Sequence, residues 1–141
     1  RFTIRPSLAL SRVPPQSLRQ FASDLARRCR IFPCFQGATV QGDLNAEVML
    51  VATGVGCHIP TLEMLDLGAD VLVVTQDRAL QETIRIPLSE MGANVIAVEH
   101  GVAEMPGMQQ MVSYLQAVFP DLQCSFYGHE PAAITVGGSD A

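Results

Sequence analysis

The side chains best placed to do chemistry lie in Glu99-His100-Gly101-Val102-Ala103-Glu104. An imidazole and a carboxylate stand four residues apart, where an extended apolar run, Asn94 to Val98, gives way to a helical pattern. Both are metal-ligand types. The C-terminal ends of strands are also where open α/β sheets build their sites. The spacing by itself is weak support, because His and Glu fall at this interval often by chance. The plain alternative has His100 bonded to a loop and Glu104 compensating the positive end of the following helix.

Other reactive types follow other strand-like runs. Cys57 and His58 come after the run Glu47 to Ala52, and Asp77 comes just after Val71 to Thr75. In a parallel sheet these positions gather along one edge. His58, His100 and Glu104 are then the candidate metal ligands. Glu104 and Asp77 are the carboxylates that can orient a metal-activated water. The loop Thr53-Gly54-Val55-Gly56-Cys57-His58 holds a GxG without the third glycine of a dinucleotide fingerprint, and no acid ends the next strand at the ribose-binding position. A tight turn explains it better than a cofactor does, although an anion at the next helix N-terminus stays open. There is no GxSxG, and the adjacent pair Cys57-His58 is not spaced as nucleophile and base. His129, in a polar loop, reads as a surface histidine.

The elements that must position these residues alternate. Short extended segments flank Pro6, and Pro14-Pro15 opens a helix with Leu18, Phe21, Leu25 and Ala26 on one face. Ala38 to Gln41 is a strand, and Gly42-Asp43 a turn. The strand Glu47 to Ala52, a helix over 62–67 ended by Gly68, and the strand Val71 to Thr75 follow. A helical pattern over 78–91 must kink or split at Pro87. After the strand Asn94 to Val98, Pro106 starts a helix. Met108, Met111, Val112, Leu115 and Val118 form its buried face, and Leu122 to Tyr127 is a last strand. Gly137 to Ala141 reads as a tail. The expected fold is a single α/β domain over 1–141, a three-layer arrangement with a mostly parallel sheet and helices on both faces.

At 141 residues, 48% hydrophobic and 16% charged, the chain can bury a real core. Seven of the nine arginines, and one acid, lie in the first thirty residues; there is no lysine, and the remainder is strongly acidic. An acidic body argues against a nucleic-acid partner, and no apolar run reaches membrane-spanning length. The four cysteines match no zinc-ribbon or CxxC spacing and read as reduced thiols, which points to the cytoplasm. The Arg-rich, acid-poor start also resembles a mitochondrial transit peptide. The chain opens on Arg1, as a fragment or processed form does.

The stretch Asn94 to Gly107, a hydrophobic strand followed by His, three residues, Glu and Pro-Gly, resembles the C-terminal half of the NIF-three-like family. That family is also labelled GTP cyclohydrolase I type 2 homologue, or dinuclear-metal-centre hexameric protein. Val48 to Gly56 and Gly68-Ala69-Asp70 with Val71 to Asp77 are similar to its upstream strands and loops, and Arg12-Val13 with the helix from Ser17 to the beginning of this half. The resemblance implies that His100 and Glu104 are ligands of a two-metal site holding zinc, manganese or iron. It implies a metal-assisted hydrolase, and symmetric oligomers. Glu99 stands where the family has Gly, and Gln76 departs from its TGD segment. The family's first half supplies a His-His pair and an Asp, and residues 1–50 contain no His. Three outcomes follow. Another chain carrying the first half completes the site; His58, Asp77 or Glu99 rebuilds it; or the metal is absent and the domain binds or assembles. For this chain alone the binding or assembly module leads, with a metal-dependent hydrolase completed by another chain or segment as the alternative.

Overall fold

Residues 2–5, 8–54, 56, 58–79 and 81–128 are described by the structure, a computed structural model. Cys57, His129 and the tail at Gly137 to Ala141 lie outside them. The chain runs β1 (Phe2–Arg5), β2 (Leu8–Ser17), α1 (Leu18–Cys29), β3 (Thr39–Gln41), β4 (Glu47–Gly54), α2 (Thr61–Asp66), β5 (Val71–Thr75), α3 (Gln76–Ala79), α4 (Glu82–Glu90), β6 (Val95–Val98) and α5 (His100–Val118). The strands form one sheet in the order β1-β2-β4-β5-β6-β3.

The α/β class and the layering are as the alternation implies. The sheet is mixed: β4, β5 and β6 run parallel, while β1, β2 and β3 pair antiparallel. The parallel part is confined to the strands joined by helical crossovers, as geometry requires. Alternate residues of these strands feed two cores. Val51, Val71, Ile96 and Val98 meet α1 and the first turns of α5 on one face. Ala52, Leu72, Val74 and Val95 meet Met64 of α2 and Leu88 of α4 on the other.

Several element boundaries differ from expectation, each for a physical reason. Pro14-Pro15 do not open a helix. They sit in β2 where its pairing with β4 slips, between Arg12 and Gln16, because proline has no N–H for the ladder. The helix begins at Leu18, capped by Ser17, whose hydroxyl accepts from Gln20 N. The segment after β5 divides before Glu82 rather than at Pro87, which lies inside α4. There the Arg78 guanidinium donates to Ile59 O and Gln81 Oε1, and Gln81 is extended. Helix α5 starts at His100, not Pro106, because the Glu99 carboxylate accepts from Val102 N at 2.8 Å and caps it.

The methionine stripe is not core. Four-residue β6 spans about 13 Å, whereas nineteen-residue α5 spans about 28 Å. Val102 and Met105 are buried, and beyond Pro106 the helix outruns the sheet and leaves Met108, Met111 and Val118 exposed. Leu122 to Tyr127 forms no strand; β3 already fills the place beside β6.

Candidate functional site

The parallel register brings the reactive residues together. Thr75 is paired with Val98 across β5 and β6. Asp77 and His100 each lie two residues further on, so the register carries them to the same level at the strands' C-terminal edge. Asp77 enters the short helix α3, and its Oδ1 accepts from Arg78 N. Its Oδ2 lies 2.9 Å from His100 Nδ1, and His100 Nε2 lies 2.8 Å from Glu104 Oε1. Because α5 starts at His100, Glu104 is one turn along on the same face.

The result is a carboxylate–imidazole–carboxylate line, partly open to water. The hydrogen bond to Asp77, then that to Glu104, raises the imidazole pKa above its ordinary value, against a smaller opposing effect of burial. Burial pushes the Asp77 carboxyl up, but hydrogen bonds from Thr75 and His100 outweigh it and hold the group below its ordinary value. The Thr75 hydroxyl also reaches Gly56 O at 3.3 Å, which ties the β4–α2 loop to the end of β5.

Two other candidates lie apart from this line. Glu99 is used as the helix cap. His58 is exposed on the β4–α2 loop and makes no hydrogen bond or ion pair among the described residues. In that loop Gly56 has φ +102°, a conformation that side chains rarely adopt, as a tight turn demands.

Among the described residues, no group of three or more His, Cys, Asp or Glu side chains is arranged to hold a metal. The reason is directional. Asp77 and Glu104 occupy opposite nitrogens of one ring, so they do not converge on a common point with it. One ion can be reached by His100 Nε2 and Glu104 together, while Asp77 stands behind the ring. Zinc wants three or four protein donors, so the donors present fit one side of a metal site. The support behind His100 was not read from spacing, because Asp77 is remote in sequence. The signal that locates it is the β5–β6 register.

No protein-family model matches the chain, and no curated protein does. Solved structures do. The α/β fold is similar to that of a Bacillus cereus protein described as related to NIF3. That protein is 21% identical over 90% of this chain, with a TM-score of 0.69. The Staphylococcus aureus protein SA1388 aligns over 79% of the chain at 17% identity, TM-score 0.63. A protein ybgI of unknown function aligns over 81% at 19%, TM-score 0.62. The fold expected from the residues around His100, that of NIF3-related proteins, is therefore the fold found. The chain spans 35%, 35% and 44% of those three chains, well under two thirds of their length. Among the described residues no helix is long and apolar enough to cross a membrane.

Proposed function

We propose that this chain is a binding or assembly module that presents half of a divalent-metal site. Its own donors are His100 and Glu104, and Asp77 positions His100. The observation that carries this reading is the line Asp77–His100–Glu104, with both ring nitrogens engaged and no third donor converging among the described residues. Zinc, manganese or iron held there would draw its remaining ligands from another chain or segment.

A metal-dependent hydrolase formed on such completion is the second reading. The Asp77 contact favours it, because a carboxylate on the far nitrogen is the usual support of a metal-bound histidine. A bound divalent cation would lower the pKa of a water ligand. In that setting Glu104 is the carboxylate within reach of the water, and Asp77 acts through His100. His58, exposed on the β4–α2 loop, is a further imidazole that could complete the site.

Elemental analysis after incubation with zinc, manganese or iron and dialysis tests the first reading. The expected result is less than one equivalent retained by the chain alone, with weak binding abolished by His100→Ala. A full equivalent that survives dialysis and is lost in both His100→Ala and Glu104→Ala would replace the module reading with a self-sufficient metal centre.

A further inference from the structure

Strand β3 serves the two faces of the sheet unequally. Val40 packs against the core that includes Leu18 and Ala22 of α1. Thr39 and Gln41 stand opposite Ala97 and Val95, and residues directly opposite in an antiparallel pair share a face. Both polar side chains therefore lie on the α4 side, where Val95 and Leu88 belong to the second core. A cavity of about 50 Å³ lies there, with Ala79, Leu88, Val95 and Ala97 as its apolar walls and Thr39, Gln41 and Arg85 as its polar lining. One water needs about 10–15 Å³ of such space, so the cavity takes a group of several heavy atoms. Gln41 Nε2 is sealed from solvent and has no hydrogen-bond partner among the described residues. A buried amide N–H without an acceptor loses its hydration and gains nothing in return. Arg85 is exposed and its guanidinium makes no hydrogen bond or ion pair among the described residues. The other arginine beyond residue 30, Arg78, is committed to Ile59 O and Gln81 Oε1. No carboxylate is among the described residues of the lining.

We infer that this cavity binds a short aliphatic carboxylate, which accepts hydrogen bonds from Gln41 Nε2 and Arg85 and lays its alkyl chain against Leu88, Val95 and Ala97. The polar lining fixes the sign of the ligand. A guanidinium and an amide N–H only donate, and an ionised carboxylate only accepts. The bond from Arg85 is charge-assisted and the stronger of the two. The apolar walls fix the rest. Phosphate carries acceptors on every side, and most of this lining would strip its water without supplying a donor. A lone water would satisfy the amide but leave the apolar walls wet, whereas an alkyl chain covers them. The cavity shares no residue with the line Asp77–His100–Glu104. The inference therefore goes beyond the proposed function and does not depend on the metal donors.

Titration of the whole isotope-labelled chain with sodium propionate, at neutral pH and constant ionic strength and followed by amide NMR, tests it. So small a ligand binds in the millimolar range. The expected result is saturable shifts of the Gln41 side-chain amide and of Val95 and Ala97. Arg85→Gln weakens binding by about tenfold or more, the fold-change that a charge-assisted hydrogen bond is worth. Arg30→Gln removes the same charge from the end of α1 and leaves binding unchanged. Gln41→Met keeps the length of the side chain, removes the unpartnered N–H, and abolishes binding without loss of stability in urea. Propionamide, nearly the same shape without the charge, gives no shifts at the same concentrations. No saturable shift in the folded protein overturns the inference and leaves water as the occupant. An equal response to propionamide or to inorganic phosphate overturns the carboxylate assignment. Undiminished binding in Arg85→Gln, or a Gln41→Met variant less stable than the parent, overturns the roles given to those two donors and the inference with them.

Discussion

Replacing Asp77 with asparagine should destabilise the protein more in acid than in alkali. The carboxylate oxygens lie 2.9 Å from His100 Nδ1 and 2.8 Å from Nε2. A neutral imidazole has one N–H and can donate to one of them; only the protonated ring satisfies both. The two hydrogen bonds therefore raise the folded-state pKa above the ordinary 6.5. A raised folded value stabilises the fold fully below 6.5, and the effect fades as pH rises through the raised value. Asp77→Asn keeps the shape and removes the charge.

Its magnitude is limited by solvent. The side chains of His100, Asp77 and Glu104 are 37%, 40% and 50% exposed, and exposed ion pairs contribute about 0.2–1 kcal/mol. Urea denaturation at about pH 5.5 and about pH 9, on either side of the histidine window, should show a loss of that size in acid and a smaller one in alkali, where only the hydrogen bonds to ionised Asp77 that do not need a charged ring, as from Thr75, remain to be lost. The acid point must stay above the carboxylate range, because Asp77 carries its own lowered pKa and its contribution disappears as pH falls through it. Ring-proton NMR should show His100 titrating at lower pH in the variant. Equal losses at both pH values, or an unmoved titration, would refute the ionic account and reduce the contact to packing. A metal on Nε2 has to displace a proton, so metal uptake should decline over the same window as pH falls.

Two predictions concern the scaffold. Glu99→Ala removes the acceptor for Val102 N and should cost about 0.5–2 kcal/mol, measured by chemical denaturation; no change would mean that the cap is satisfied by water. Gly42 has φ +119°, and a Cβ there would stand 2.9 Å from Asn94 Cα. Gly42→Ala should therefore cost more than about 1 kcal/mol. It sits at the N-terminal end of β6, away from His100, so metal uptake per folded chain should not change.

Much of the site was legible because its geometry is local or periodic. The strand Val71 to Thr75 was read with its bounds as observed, since a continuous apolar run with β-branched residues fits a strand buried on both faces. His100 and Glu104 were legible as ligand types just past the end of a strand and through the resemblance of the stretch around them. Asp77 could be placed at the same edge but not against the ring, which depends on the pairing of β5 with β6. The methionines misled because periodicity reports which residues share a face, not whether anything covers that face. Glu99 misled because a carboxylate before a helix serves equally as a cap or a ligand, and only the bond to Val102 N separates the two. The segment Leu122 to Tyr127 alternates as a strand does, but alternation does not say which strand would pair with it, and the place beside β6 is taken by β3.

The two unfinished features of this chain lie on one element. Helix α5 carries His100 and Glu104 in its first turns and the exposed methionines in its later ones. Pro106 falls between them, where its missing N–H leaves the Val102 carbonyl without the usual helical donor. The segment before Pro106 is fixed by Val102 and Met105 in the core and by the Glu99 cap, so His100 and Glu104 are held by the body of the domain. The segment after it is held by little within the described chain. The geometry of His100 and Glu104 is thus set by the fold, whereas the exposed methionines beyond Pro106 take no part in holding it. That separation lets the outer half of α5 be covered or left open without altering how Asp77 holds the His100 ring.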